Sequence, residues 1–313
     1  MHPTPFPALS RRHWLAALPA GATLGLAARA RAFPSARRIV CLGDSITQGG
    51  RYLELVEAGL ILARPETVID FLPLGLASET VSGLSEDGHA GGKFPRPVLR
   101  ERLDRVLEQT RPELVVACYG MNCGIYLPLE EARFAAFRDG ILHLRARAQA
   151  VGAAVLHLTP PVYDRAAKPQ ADHDYDKVLA HYARWLLDRR ADGWQVLDIH
   201  GPMRAALDAR RATQPGFTFS RDGVHPGEEG HAQMAAPLFA AWELPGDPAT
   251  LAKDPRAAPV LAQVAKKQAL LKPAWLSATR HLRPGIAPGL PLPVAQAKAA
   301  EHDAEARRLA RLP

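Results

Sequence analysis

Three side chains of this sequence could together break an acyl bond. Ser45 follows Gly43 and Asp44 at the end of the apolar run Arg38-Ile39-Val40-Cys41-Leu42, and Asp222-Gly223-Val224-His225 lies far downstream. A serine hydroxyl is a weak nucleophile at its free pKa, so it must hand its proton to a base within hydrogen-bond reach. His225 is a matching imidazole, and Asp222, on the same loop, can accept the other ring N–H and fix the tautomer. Nucleophile, base and orienter of a hydrolytic triad are thus present. Taken alone, Asp222 to His225 also fits a turn followed by a helix start, since Asp-Gly is a common turn signal and Pro226-Gly227 comes next. Beside the Ser45 turn, the chemical reading is the stronger one.

Residues so far apart in sequence meet only on a scaffold that gathers loop ends. Apolar, β-rich runs at 38–42, 67–72, 113–119, 153–159 and 194–199 predict strands, and the segments 51–63, 97–110, 129–150, 174–191, 202–212 and 228–241 predict helices. Continuous hydrophobic strands separated by helices are covered on both faces. The fold class is therefore α/β, a three-layer α/β/α sandwich around a five-stranded parallel sheet. In the flavodoxin-like order 2-1-3-4-5 the first and third strands diverge at a switch point, and ligands bind outside their C-terminal ends. Ser45 follows the first of these strands and Asn122 the third.

Four segments carry a family resemblance: Gly43-Asp44-Ser45-Ile46, Gly75-Leu76-Ala77-Ser78-Glu79-Thr80, Gly120-Met121-Asn122-Cys123 and Asp222-Gly223-Val224-His225. In order and position they resemble the four blocks of the SGNH hydrolases, the GDSL-type esterases, over residues 38 to about 241. The resemblance implies the SGNH hydrolase fold, with Ser45, Asp222 and His225 as catalytic residues. It also implies an oxyanion hole made of the Ser45 backbone N–H, the Ser78 backbone N–H and the Asn122 side-chain amide. Two positions depart from the pattern. Ser78 stands where many relatives carry Gly, so the backbone donor survives only if Ser78 takes the required φ/ψ. Cys123 stands where relatives usually have Asp, and a thiol is the weaker acceptor. Gly75 is expected to permit the turn that leaves the second strand. Asp44 is expected to fix the nucleophile loop by a hydrogen bond rather than to join the triad.

The first 32 residues read as a signal peptide. Arg11-Arg12 precedes a modestly apolar Ala/Gly/Leu stretch that ends in Ala30-Arg31-Ala32, which resembles a twin-arginine export signal; an ordinary secretory signal is the alternative. No later stretch is long and apolar enough to span a bilayer, so an exported protein, periplasmic or extracellular and without stable membrane insertion after signal removal, is expected. The net charge is +7, but +4 belongs to residues 1–32 and +7 to residues 251–313, which leaves −4 for 33–250. A nucleic-acid binder concentrates positive charge on its working domain, so the basic pI does not point to nucleic acid.

After the signal, residues 33–245 form the SGNH hydrolase domain and 246–313 a C-terminal extension packed on it. That extension contains an extended Pro/Gly segment, 283–291, and a terminal amphipathic helix from Val294 to Leu309. Trp275 and Leu276 favour packing on the core, where the extension either wraps the surface or walls an acyl or sugar pocket. Cys41, Cys118 and Cys123 read as buried free thiols. Cys123 as a nucleophile is disfavoured, because no motif places a second His beside it. The acids of Asp172-His173-Asp174-Tyr175-Asp176 read as a dipole-matched helix start and not as a metal cluster. The long loop Glu79 to Gly92, with His89, is expected to shape the substrate site.

The reading as a whole is an exported serine esterase. It hydrolyses short acyl esters, acetyl groups on carbohydrates among them, through an acyl-enzyme and without metal or organic cofactor. The substrate is a small-molecule or glycan ester. A lysophospholipase or thioesterase is the enzymic alternative, and a catalytically silent carbohydrate-binding relative the non-enzymic one.

Overall fold

The computed structural model describes residues 34–168 and 172–312. The twin-arginine-like segment, residues 1–32, lies outside them. Five parallel strands, β1 (Arg38–Gly43), β2 (Asp70–Pro73), β3 (Leu114–Cys118), β4 (Ala154–Leu158) and β5 (Gln195–Leu197), stand in the order β2-β1-β3-β4-β5. β1 and β3 are apolar along nearly their whole length because helices cover both faces: Ile39, Val40, Cys41, Leu42, Val115, Val116 and Ala117 are all buried. The register pairs Gly43 with Cys118, so the loops that carry Ser45 and Asn122 leave the sheet side by side.

Helices α1 (Ser45–Gly49), α2 (Arg51–Ala63), α3 (Leu103–Thr110), α4 (Glu131–Ala150), α5 (Asp176–Asp188), α6 (His200–Thr213) and α7 (Glu228–Trp242) connect and follow the strands. The apolar face of α3 shows the expected periodicity, with Leu103, Val106, Leu107 and Thr110 buried. The segment 172–176 begins α5: Asp174 Oδ1 accepts the Asp176 N–H, and Asp176 Oδ1 accepts the Tyr163 N–H. Among the described residues no helix is long and apolar enough to cross a membrane.

Two helices go beyond the sequence expectation. α1 is a single short helix that starts on the nucleophile candidate itself. α8 (Ala257–Ala278) spans 22 residues of a segment whose Pro, Ala and Lys content suggested none. Its N-terminus is held by Asp254, whose Oδ1 accepts from Arg256 and Ala257 N–H at 2.8 and 2.9 Å. Pro259 is tolerated because first-turn N–H groups have no helical partner, whereas Pro273, inside the helix, leaves the Ala269 carbonyl without its helical N–H.

The last helix, α9 (Leu292–Ala310), lays Ala295, Ala299, Ala306 and Ala310 against α8. A buried polar clasp ties both to the core. Lys267 Nζ donates to Glu57 of α2 and Asp303 of α9, each at 2.6 Å, and Gln268 Nε2 donates to Glu57 at 2.7 Å. The paired carboxylates outweigh the desolvation of the Lys267 ammonium and hold its pKa above the ordinary value. Removing one member would leave a buried charge unpaired.

Candidate active site

Asp44 shapes the turn that carries Ser45. Its backbone is extended, and its side chain accepts the Ile46 N–H at 3.0 Å, so it caps α1 and leaves Ser45 as the first helical residue. The Ser45 N–H is therefore among the groups with no partner inside the helix. Gly75 serves a different purpose from the one expected: its φ is not positive, and a Cβ there would lie 2.3 Å from the Gln48 nitrogen. The second loop thus crosses the α1 backbone at a distance that only glycine allows.

The loop that carries Asp222 and His225 is shaped by Gly223, whose φ of 78° belongs to the left-handed region. The Asp164 N–H donates to Gly223 O at 2.8 Å, and the Gly227 N–H to Phe219 O at 2.7 Å, which pins the loop at both ends. Arg51 at the start of α2 donates to Glu228 at the start of α7 at 2.9 Å, linking the element after Ser45 to the element after His225. Lys272 of α8 donates to Gly49 O at 2.8 Å and braces the end of α1.

On this frame Ser45, His225 and Asp222 meet. Ser45 Oγ lies 2.8 Å from His225 Nε2, and His225 Nδ1 lies 2.6 Å from Asp222 Oδ2. With Nδ1–H donating to the carboxylate, Nε2 is left to accept the serine proton. Asp222 Oδ1 also accepts the backbone N–H of His225 and Val224, at 2.8 and 3.0 Å. Against the desolvation of partial burial, these donors hold the Asp222 carboxyl down at about 2, so it is ionised throughout the neutral range. The side chains of His225 and Asp222 are 52% and 51% exposed, so the proton relay sits at the mouth of the site rather than under a lid.

Ser78 and Asn122 line the same cavity of about 260 Å³ as Ser45 and His225, together with Ala77, His89, Arg96, Tyr126 and Arg283. Ser78 has φ 67°, the left-handed conformation that glycine takes without strain. A serine there costs about 1–2 kcal/mol, the kind of local strain a packed site can hold. The preceding Ala77 N–H is taken by Gln48 Oε1 at 2.6 Å. The Asn122 amide is fixed on two sides, Oδ1 accepting the Tyr126 hydroxyl at 3.0 Å and Nδ2 donating to Glu79 O at 3.3 Å. One Nδ2 hydrogen remains for a ligand oxygen.

Two supports of this arrangement escape motif reading. Tyr126, with φ 57°, reaches Asn122 from the loop after β3. Beneath Ser78, Glu79 is fully buried and accepts from Arg102 Nε and Nη2 at 2.6 and 2.7 Å and from the Tyr119 hydroxyl at 2.6 Å. Arg102 also donates to Leu74 O at 2.8 Å. The bidentate pair joins the ends of β2 and β3 to the Ser78 segment.

Cys41, Cys118 and Cys123 are buried free thiols. Burial, against the opposing Val81 and Ser82 N–H groups, pushes the Cys123 thiol up to about 12, which argues against a nucleophilic thiolate. The loop from Glu79 to Gly92 does reach the site, bringing His89 to the cavity wall.

Solved structures with a similar fold include an acetylxylan esterase, Axe2, from Geobacillus stearothermophilus, 17% identical at a TM-score of 0.51, covering 66% of this chain and 93% of that one. LAE5, an alpha/beta hydrolase enzyme from the metagenome of Lake Arreo, is 21% identical at a TM-score of 0.51 over 68% of this chain and 96% of its own. A gut microbial diltiazem-metabolizing enzyme aligns at a TM-score of 0.55 and 19% identity over 68% of this chain, which spans only 48% of that protein. At these identities the likeness is one of fold. No curated protein matches by sequence. The family pattern of the GDSL-like lipases and acylhydrolases, in contrast, runs from residue 41 to residue 233, from β1 into α7 and across every segment that lines the candidate site except Arg283. That span is more than half of the chain, and the protein accordingly belongs to the GDSL-like lipase/acylhydrolase family, as a hydrolase of ester bonds.

Proposed function

We propose that this protein is a serine esterase that removes short acyl groups, acetyl foremost, from a carbohydrate, with Ser45 as nucleophile. The observation that carries this reading is the aligned contact from Ser45 Oγ to His225 Nε2 and from His225 Nδ1 to Asp222 Oδ2. In the first half-reaction Ser45 Oγ attacks the ester carbonyl carbon while its proton passes to His225 Nε2. The charge that develops on the carbonyl oxygen meets the N–H groups of Ser45 and Ser78 and the free Nδ2 hydrogen of Asn122. Collapse breaks the bond to the alcohol oxygen, which takes the proton from His225, and an acyl-Ser45 ester remains. Water then repeats the sequence, giving up a proton to His225, and the carboxylic acid departs as Ser45 regains its proton.

The choice of a small acyl group rests on size and polarity. The cavity of about 260 Å³ carries Ser78, His89, Arg96, Asn122, Tyr126 and Arg283 on its wall, and a small, polar space of this kind favours a short acyl group over the long chain of a lysophospholipid. The half-exposed relay leaves room for a bulky alcohol such as a glycan. Axe2 is described as an acetylxylan esterase, and its catalytic variants replace a serine, an aspartate and a histidine, the latter two spaced as Asp222 and His225 are. Export follows from the twin-arginine-like pattern of residues 1–32 and is read from the sequence alone.

The test is Ser45→Ala, assayed for fluorophosphonate labelling and for acetate release from 4-nitrophenyl acetate and acetylated xylan. Labelling and nearly all turnover are expected to vanish while the fold persists. Full turnover in that variant excludes the mechanism. N-terminal sequencing of the secreted protein tests export, with a start near residue 33 expected.

A further inference from the structure

The cavity wall holds one charge that the triad does not use. Arg283 comes from the extended segment between α8 and α9, outside the residues that match the family, and lies against the same cavity as Ser45, Ser78 and His225. Its guanidinium is held in place: Nη1 donates to Pro284 O at 2.8 Å, and Cζ stands 5.2 Å from the centre of the Phe94 ring. Phe94 in turn meets His89 edge-on at 5.4 Å. Arg283 Nε is buried and has no hydrogen-bond partner within the protein.

The other basic side chains of the wall have carboxylate partners. Arg96 makes two bonds of 2.6 Å to Glu86, which also lies 3.3 Å from His89 Nδ1, and His225 has Asp222. Among the described residues no carboxylate forms an ion pair with Arg283. Among the described residues Arg283 Nη2 has no protein acceptor, and the forked donors of a guanidinium match a carboxylate.

We propose that Arg283 makes this pocket selective for esters that carry a carboxylate close to the scissile bond. The proposal rests on the esterase reading above and narrows its substrate. The small cavity requires the carboxylate to lie within a few bonds of the reacting carbonyl. It comes either from the acyl side, as in a half-ester of a dicarboxylic acid, or from the alcohol side, as in an acetylated uronic acid.

Two matched pairs separate these sources: 4-nitrophenyl hemisuccinate against 4-nitrophenyl butyrate, and acetylated galacturonate against its methyl ester. The readout is the ratio of kcat/KM for the anionic member over the neutral one, in the wild type, Arg283→Gln and Arg283→Lys. In at least one pair the wild-type ratio is expected above one. Arg283→Gln lowers that ratio about tenfold or more, mainly through KM, whereas Arg283→Lys keeps most of it, as loss or retention of a charge-assisted contact does. A wild-type ratio at or below one in both pairs overturns the proposal, and so does a ratio that Arg283→Gln leaves unchanged. If Arg283→Gln fails to fold, the wild-type ratios and Arg283→Lys decide by the same criteria. Turnover of the neutral esters together with Ser45 labelling keeps the esterase reading standing when the selectivity fails. Loss of both in the wild type overturns the two together.

Discussion

The Tyr126 hydroxyl donates to Asn122 Oδ1 at 3.0 Å, and this contact decides which edge of the amide is free. With Oδ1 occupied and one Nδ2 hydrogen on Glu79 O, the remaining hydrogen is the one left for an oxyanion. Asn122→Ala is expected to lower kcat by roughly 10²-fold or more, the usual effect of losing one preorganised donor. Tyr126→Phe keeps the donor and loosens it, so a smaller fall in kcat, about tenfold, with KM little changed is expected. Steady-state kinetics of both variants check this. Equal kcat in Tyr126→Phe and wild type would show that packing alone orients the amide.

Ser78 offers a test of backbone against side chain. At φ 67° a serine carries strain that glycine does not, while glycine loses about 0.5–1 kcal/mol through the freedom of its unfolded chain. Ser78→Gly should therefore be neutral to about 1 kcal/mol stabilising in a urea melt. If the backbone N–H is the working group, kcat stays within a factor of about two. A tenfold loss would assign the work to the hydroxyl. Ser78→Val, β-branched at a positive φ, should lose both stability and turnover.

Much of this arrangement is legible in the sequence, for a physical reason. Strands buried on both faces must be continuously apolar, and a parallel sheet gathers the loops after them at one edge, so Ser45 and Asn122 could be brought together without coordinates. Asp222 and His225 share one loop, which makes their pairing a local matter. The supports are not local. Arg102 finds Glu79 across the end of the sheet, and Arg283 reaches the pocket from beyond α8, by packing that no periodicity records. α8 itself was hidden by its prolines: Pro259 sits in the first turn, where it costs little, and Pro273 lies inside the helix, where only packing on the core offsets its lost hydrogen bond. Sequence alone makes Gly75 a turn residue because glycine commonly is one, whereas a close crossing of two backbones is invisible until the fold is known.

Cys123, where the family resemblance leads to the expectation of Asp, faces the N–H groups of Val81 and Ser82. Cys123→Ser supplies a similar small acceptor, and turnover within a factor of about three is expected. Cys123→Asp gives those N–H groups a stronger partner, yet it also buries a full charge with only two donors. Turnover should survive while stability falls by about 1–3 kcal/mol, seen as a lower Tm. Abolished activity in Cys123→Ser with an unchanged Tm would instead mean a reactive thiol.

Asp44 ties the pH dependence of stability to the nucleophile turn. Burial raises its carboxyl from the ordinary 3.8 to about 6, and Glu79 adds to the rise, while the Ile46 N–H, His225 and Arg96 oppose it. Between these two values the folded chain keeps a proton that the unfolded chain has released, so rising pH favours unfolding. The stabilising contribution is complete below about pH 4 and lost by the time pH has risen through about 6. Its full size is on the order of 3 kcal/mol, two pKa units at 1.36 kcal/mol each. Asp44→Asn keeps an acceptor for the Ile46 N–H and cannot ionise. The variant should therefore match wild-type stability near pH 4 and exceed it at pH 7, with the gap opening between pH 4 and 6. Chemical denaturation of both proteins from pH 4 to 8 measures that gap. A variant less stable than wild type at pH 7 would mean that the ionised Asp44 carboxylate is held by its donors more strongly than burial opposes it.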